Sequence, residues 1–171
     1  MKTCAFTGLR PQNLPFGLIE EDERCTKLKK TLREQTIRVI ENEGVTHFIT
    51  GMAIGVDMYA AEIVLGLKAA YPGVTLECAI PYENQAEKWQ EPLRDRYFEI
   101  AAGCDRETML QKHYTKDCMG RRDRYMIDRA DILIAVWDGS HGATGRTVGY
   151  ALRQGKTVVV IDPKTSGVER R

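Results

Sequence analysis

Six short apolar runs punctuate the chain at nearly regular intervals: TCAFT (3–7), THFIT (46–50), TLECAI (75–80), ETMLQ (107–111), DILIAVW (131–137) and TVVVID (157–162). Longer segments of mixed character separate them. Residues 20–43 place Leu28, Leu32, Val39 and Ile40 at helical spacing among Lys, Arg and Glu, and Gly44 follows where a C-cap glycine belongs. Residues 56–71, 86–102, 116–130 and 144–154 are read as further helices. Strand-like runs alternating with helix-length segments are the signature of βαβ units. The runs ILIAVW and VVVI are apolar at successive positions, which implies strands buried on both faces. The pattern therefore predicts an α/β fold: a mostly parallel central sheet of about six strands, with helices on both sides.

The turns leading from helix back to strand, such as Tyr71-Pro72-Gly73 and Gln154-Gly155-Lys156, are short and carry little beyond helix termination. The segments that follow strands differ: TGLRPQNLPFG, TGMAIGVD, PYENQAEKW and WDGSHGATGRT. In an open parallel sheet all four emerge at the carboxyl edge, where ligands bind near the reversal of strand order. Four unusual loops on one rim make a candidate site.

The loop Gly51-Met52-Ala53-Ile54-Gly55-Val56-Asp57 opens a helix with two glycines, but it matches neither the dinucleotide fingerprint nor a Walker loop. Glycines let a ligand approach backbone amides, and the helix N-terminus behind them favours phosphate. A plain tight turn, with Asp57 offsetting the helix dipole, is the alternative. The loop 137–147 adds Asp138, Gly139, His141, Gly142, Thr144, Gly145, Arg146 and Thr147, which supply amides, hydroxyls and a positive charge. One threonine there is explained by helix capping; three nearby glycines are not. Arg10, just beyond the first strand, could clamp a phosphate or pair with a surface carboxylate. Tyr82 and Trp89 could stack on a base or simply pack. The sign-alternating stretch 121–131 reads as a solvated helix face, with Arg122 its member of interest.

Composition narrows the function classes. At 171 residues and a formal charge of +1, with acids and bases interspersed, the chain suits one domain over 1–171 and offers no broad basic surface for nucleic acid. Five scattered cysteines without a C-x-x-C pair suggest reduced thiols, and the three histidines lack metal-ligand spacing, so no metal is expected. No apolar run approaches the length of a membrane span, and a cytoplasmic protein is expected. Residues 163–171, PKTSGVERR, are expected to fray. No catalytic motif is visible.

Taken in order, TGLRP, ITGMAIGVD, AIPYENQAEKW, RRDRYMIDRADILIAVWDG and the loop 142–147 resemble the YpsA-like family (DUF1273) of the SLOG (SMF/DprA–LOG) superfamily, over roughly residues 3–162. The resemblance implies a Rossmann-like three-layer αβα sandwich that binds a nucleotide or nucleotide-derived ligand, ADP-ribose-like molecules among the candidates. It also implies a link to bacterial cell division or stress, and admits a homodimer and a protein partner. No further cofactor is implied. It points to Thr7, Gly8 and Arg10, to Gly51, Gly55 and Asp57, and to Gly139, Gly142, Thr144 and Thr147 as ligand-binding; Tyr82, Trp89, Arg122 and Asp138 are secondary candidates. The related LOG enzymes, which release a base from a nucleoside monophosphate, carry a glutamate after their glycine-rich loop. Here Val148, Gly149 and Tyr150 follow Thr147, which weakens an enzymatic reading of that type. A DNA-processing role is disfavoured by the near-zero charge.

Overall fold

The computed structural model describes all 171 residues. Seven strands form one sheet: β1 (Lys2–Gly8), β2 (Val45–Thr50), β3 (Thr75–Ile80), β4 (Arg106–Met109), β5 (Ile132–Val136), β6 (Thr157–Ile161) and β7 (Val168–Arg170). Five α-helices connect them: α1 (Glu23–Glu43), α2 (Val56–Leu67), α3 (Glu91–Gly103), α4 (Cys118–Arg129) and α5 (Ala143–Arg153). The strand order is β4-β3-β2-β1-β5-β6-β7, and every pairing except β6–β7 is parallel. From β1 the chain winds outward through β2, β3 and β4, then returns to place β5 on β1's other side. The order therefore reverses between β1 and β5, which is where an open sheet of this type leaves a crevice.

Alternation along the strands sorts side chains into two cores. Phe6, Phe48 and Leu76 pack beneath α1, α2 and α3 with Leu28, Leu32, Val39, Met58 and Ile100. Ala5, Ile49, Ala79, Leu133 and Ala135 face the other way, under Met126 and Ile127 of α4 and Val148 and Ala151 of α5. The small residues on that second face let α4 and α5 lie close to the sheet, which matters for the site.

Helix boundaries follow local chemistry. Asp22 caps α1 by accepting the Arg24 N–H at 2.9 Å, and Gly44 ends it in the left-handed region at φ 73°. Helix α3 begins at Glu91 rather than near residue 86, because Pro92 favours a first turn there and the preceding segment is taken up in tight turns. Gln85 and Ala86 are buried within those turns.

The tail is the clearest correction to the sequence reading. Residues 163–171 do not fray: Val168–Arg170 form β7, antiparallel to β6. Val158 and Arg171 exchange N–H···O bonds at 2.9 and 2.7 Å, and Arg170 pairs with Glu43 at the end of α1. Main-chain pairing and a distant ion pair, rather than apolar side chains, hold this strand. No helix is long and apolar enough to cross a membrane.

Deleting residues 164–171 removes this pairing and uncovers the edge of β6. We expect urea denaturation to show a loss of about 2 kcal/mol in unfolding free energy. An unchanged midpoint would mean that β7 contributes nothing to stability.

Candidate functional site

Parallel strands bring the loops after β1, β2, β3 and β5 to one rim, and α4 supplies the part of the site that ties them together. Arg122 on α4 is almost completely buried. Its Nη1 donates to the Gly51 carbonyl at 2.6 Å and its Nε to Asp123 Oδ1 at 2.8 Å. Asp123 Oδ2 in turn accepts from the Thr147 hydroxyl of α5 at 3.2 Å. One chain of contacts thus runs from α5 through α4 to the β2 loop. Gly51 is required for it: a Cβ there would lie 2.6 Å from Arg122 Nη1. Gly8 answers a similar need, because its Cβ would meet the Val56 side chain at 2.6 Å where α2 leaves the rim.

Burial opposes the charge of Arg122, but Asp123 and Asp57 outweigh it and hold the guanidinium above its ordinary pKa. Asp57 is also buried; its Oδ2 accepts the Ala53 N–H at 3.1 Å and lies 4.0 Å from Arg10 Nη1. Burial pushes this carboxyl up, and Arg122, Arg10 and the Ala53 amide draw back only part of the shift. Its backbone carbonyl takes the Thr50 hydroxyl at 2.9 Å, which closes the β2 loop on itself.

Several polar atoms here have no protein partner. Thr7, Thr144, Asp57 and Arg122 are all buried, yet Thr7 Oγ1, Thr144 Oγ1, Asp57 Oδ1 and Arg122 Nη2 make no hydrogen bond. The only side-chain N or O atoms both sealed from solvent and unpartnered are Gln35 Oε1 and Glu43 Oε2, far from the rim. The four rim atoms therefore open outward. Beside them, α2 and α5 start at Gly55 and Gly142 with no side-chain cap, leaving their first amides unspent.

Other expected residues lie differently. The Thr147 hydroxyl is engaged with Asp123 and the Ala143 carbonyl, making it a joint between α4 and α5. Asp138 and Gly139 are exposed in a turn that closes on itself: Asp138 Oδ1 accepts the Ser140 N–H at 3.0 Å, and Trp137 Nε1 donates to the Ser140 carbonyl at 2.9 Å. Contacts with the Ser140 hydroxyl and amide hold the Asp138 carboxyl below its ordinary range. His141 is exposed.

A cleft of about 320 Å³ adjoins the rim on the β2–β3 side. Arg10, Ile54, Tyr82, Gln85, Trp89 and Met119 are among its walls, so the loops after β1, β2 and β3 meet there with the start of α4. Tyr82 and Trp89 thus come together, although nothing in their spacing required it.

The sequence reading missed Glu77, a carboxylate in the middle of β3 that is almost inaccessible. It contacts His47 Nε2 at 3.1 Å and accepts from Tyr125 at 2.7 Å and Thr108 at 3.2 Å, with Arg106 Nε 3.8 Å away. Through Tyr125 it anchors α4 to the outer strands. A charged residue amid TLECAI was the one available signal. No group of three or more His, Cys, Asp or Glu is gathered closely enough to hold a metal ion.

The architecture is that of a doubly wound α/β protein whose open polar atoms gather at the switch point. A model of the YspA SLOG family matches residues 4–159, and the chain belongs to that family. It is 30% identical to UPF0398 protein BH1768 of Halalkalibacterium halodurans over 141 residues, 81% of this chain and 73% of that one. It is 27% identical to UPF0398 protein YpsA of Bacillus subtilis, covering 81% and 77%. Among solved structures, DNA processing protein A of Streptococcus pneumoniae shares the fold with TM-score 0.59 and 16% identity, over 95% of this chain and 50% of that one. TM1055 shares it with TM-score 0.56 and 15% identity, over 98% and 76%.

Gly51→Ala forces the Arg122 guanidinium from its carbonyl and should cost about 3 kcal/mol in chemical denaturation. Gly66→Ala, on α2 with open space around it, should instead stabilise by about 0.5–1 kcal/mol. Equal effects would remove the argument for close approach. For Glu77, burial alone would raise the pKa, but His47, Tyr125 and Arg106 bring it from 4.5 down to about 2. Its contribution to stability is complete above pH 4.5 and is lost as pH falls toward 2. Acid titration of stability should show on the order of 3 kcal/mol lost across that window, and Glu77→Gln should flatten it.

Proposed function

We propose that the rim between β1, β2 and α5 binds a nucleotide or nucleotide-derived ligand, ADP-ribose-like molecules included, and that the protein acts as a bacterial cytosolic sensor rather than a catalyst. The observation that carries this reading is the set of four open polar atoms, without protein partners, on otherwise buried rim residues. Two threonine hydroxyls and an arginine N–H beside uncapped helix amides suit an anionic phosphate. The free oxygen of Asp57 suits a ribose hydroxyl. A link to cell division or stress accords with the family resemblance.

An enzymatic reading has one observation in its favour. Asp57 is a buried carboxyl with a raised pKa and an open oxygen, a profile that suits general acid–base work on an N-glycosidic or phosphate bond. Against it, α5 runs ATGRTVGYALR and brings no carboxylate to the rim. A Helicobacter pylori DNA processing protein A of the same fold is described for its single-stranded DNA binding mode. The formal charge of +1 gives this chain little to hold a polyanion.

Calorimetric titration with mononucleotides and ADP-ribose tests the site. Thr144→Val and Thr7→Val each remove one hydroxyl with little change in shape, and each should weaken binding about tenfold while leaving the melting temperature nearly unchanged. Unaltered affinity in both variants would place the ligand elsewhere. Mass analysis of the recovered ligand separates a sensor, which returns it intact, from an enzyme.

A further inference from the structure

Resting on that reading, we infer that the cleft beside Arg10 is a nucleobase subsite: it takes the flat ring of a nucleoside 5′-phosphate whose phosphate sits at the Thr7–Thr144 end of the rim. Three observations support it. The cleft is walled mainly by apolar and aromatic side chains, and Arg10 is its only charged residue, so it suits a neutral ring and no cation. Its two aromatic walls are held in place by further rings. Trp89 packs edge-to-face on Tyr97 at 5.3 Å, and Tyr82 on Tyr114 at 5.5 Å. A rigid wall loses little entropy when a ring stacks on it.

The third observation concerns Gln85, a cleft residue only 5% exposed. Its Nε2 donates to the Met52 carbonyl at 3.3 Å, which orients the amide. Its Oε1 accepts nothing, and it is not among the sealed unpartnered atoms. An unspent acceptor on an otherwise buried side chain that lines an apolar cleft suits a planar group that presents an N–H, as nucleobase edges do. Met52 itself holds φ 59° while fully buried, an unfavourable conformation that presents its carbonyl to Gln85.

Size and placement narrow the ligand further. Small-molecule pockets run from about 300 to 1,000 Å³. At about 320 Å³ the cleft lies at the lower end of that range, a size that suits a single nucleoside. Arg10 stands between the two ends of the site, lining the cleft while lying 4.0 Å from Asp57. A ribose bridging them would pass Asp57 Oδ1, the open acceptor on the way.

The test compares probes with and without a base. AMP, GMP, CMP, UMP and ribose 5-phosphate are titrated into the protein and into Trp137→Phe, which leaves Trp89 as the sole indole. At least one of the four nucleotides should bind ten or more times tighter than ribose 5-phosphate, and only nucleotides should change Trp89 fluorescence. Ile54→Phe, which fills the cleft from a half-buried loop position, should erase that advantage while ribose 5-phosphate binds as before. Gln85→Leu should weaken the best nucleotide about tenfold. If ribose 5-phosphate binds as well as every nucleotide and Trp89 is silent, the base subsite is wrong while the phosphate site stands. If no phosphate-bearing probe binds at all, both fall. The fluorescence result decides even where a cleft variant fails to fold.

Discussion

Arg122 places a positive charge beneath the central loops, and much of the rim is arranged around it. An unpaired buried charge would cost several kcal/mol. Asp123 alone could neutralise it, but Asp123 is its neighbour on the same helix and reaches only α5, through Thr147. The Gly51 carbonyl makes the interaction structural, because it joins α4 to the β2 loop across the sheet. Gly51 must then lack a side chain, and the small residues Ala5, Ala79 and Ala135 beneath α4 and α5 allow the close approach. Thr147 extends the link to α5. Buried ion pairs are weak arguments for stability; this one is better understood as fixing the geometry of an open site, since the guanidinium keeps Nη2 unspent.

How legible this was in the sequence depended on whether a feature is local. The strands with successive apolar residues could be placed almost to the residue, because burial on both faces leaves no polar positions to confuse the period. The convergence of four loops followed from parallelism alone. Strand β7 was not legible: VER has no apolar period, and its partners are the main chain of β6 and Glu43, distant in sequence. Helix α4 misled differently. RRDRYMIDRAD alternates in sign like a solvated face, and the pattern cannot say that Arg122 points inward while Arg121 and Arg124 stay in water.

The glycine-rich loop after β5 shows a related limit. Its density of glycine and polar residues reads as a ligand cradle, yet half of it folds on itself. Asp138, Ser140 and Trp137 satisfy one another, and the Arg171 guanidinium lies over the Trp137 ring at 5.6 Å. The start of α5, from Gly142 to Thr144, keeps unspent groups. Composition counts donors and acceptors; only the fold reveals which have already found partners.

Helix α4 joins the two ends of the site to the body of the protein. Met119 reaches the cleft, Arg122 opens at the rim, and Tyr125 hydrogen-bonds Glu77; these lie three residues apart, close to one face of the helix. A slide of α4 along its axis would therefore alter the rim and the cleft at once, and Glu77 resists it through a short charge-assisted bond well away from the rim. Glu77 is itself held by β2 and β4 through His47 and Thr108. The buried acid in β3 and the buried base in α4 consequently act as two pins on one helix. The geometry of rim and cleft depends on both, although neither the cleft nor the glycine loops contain them.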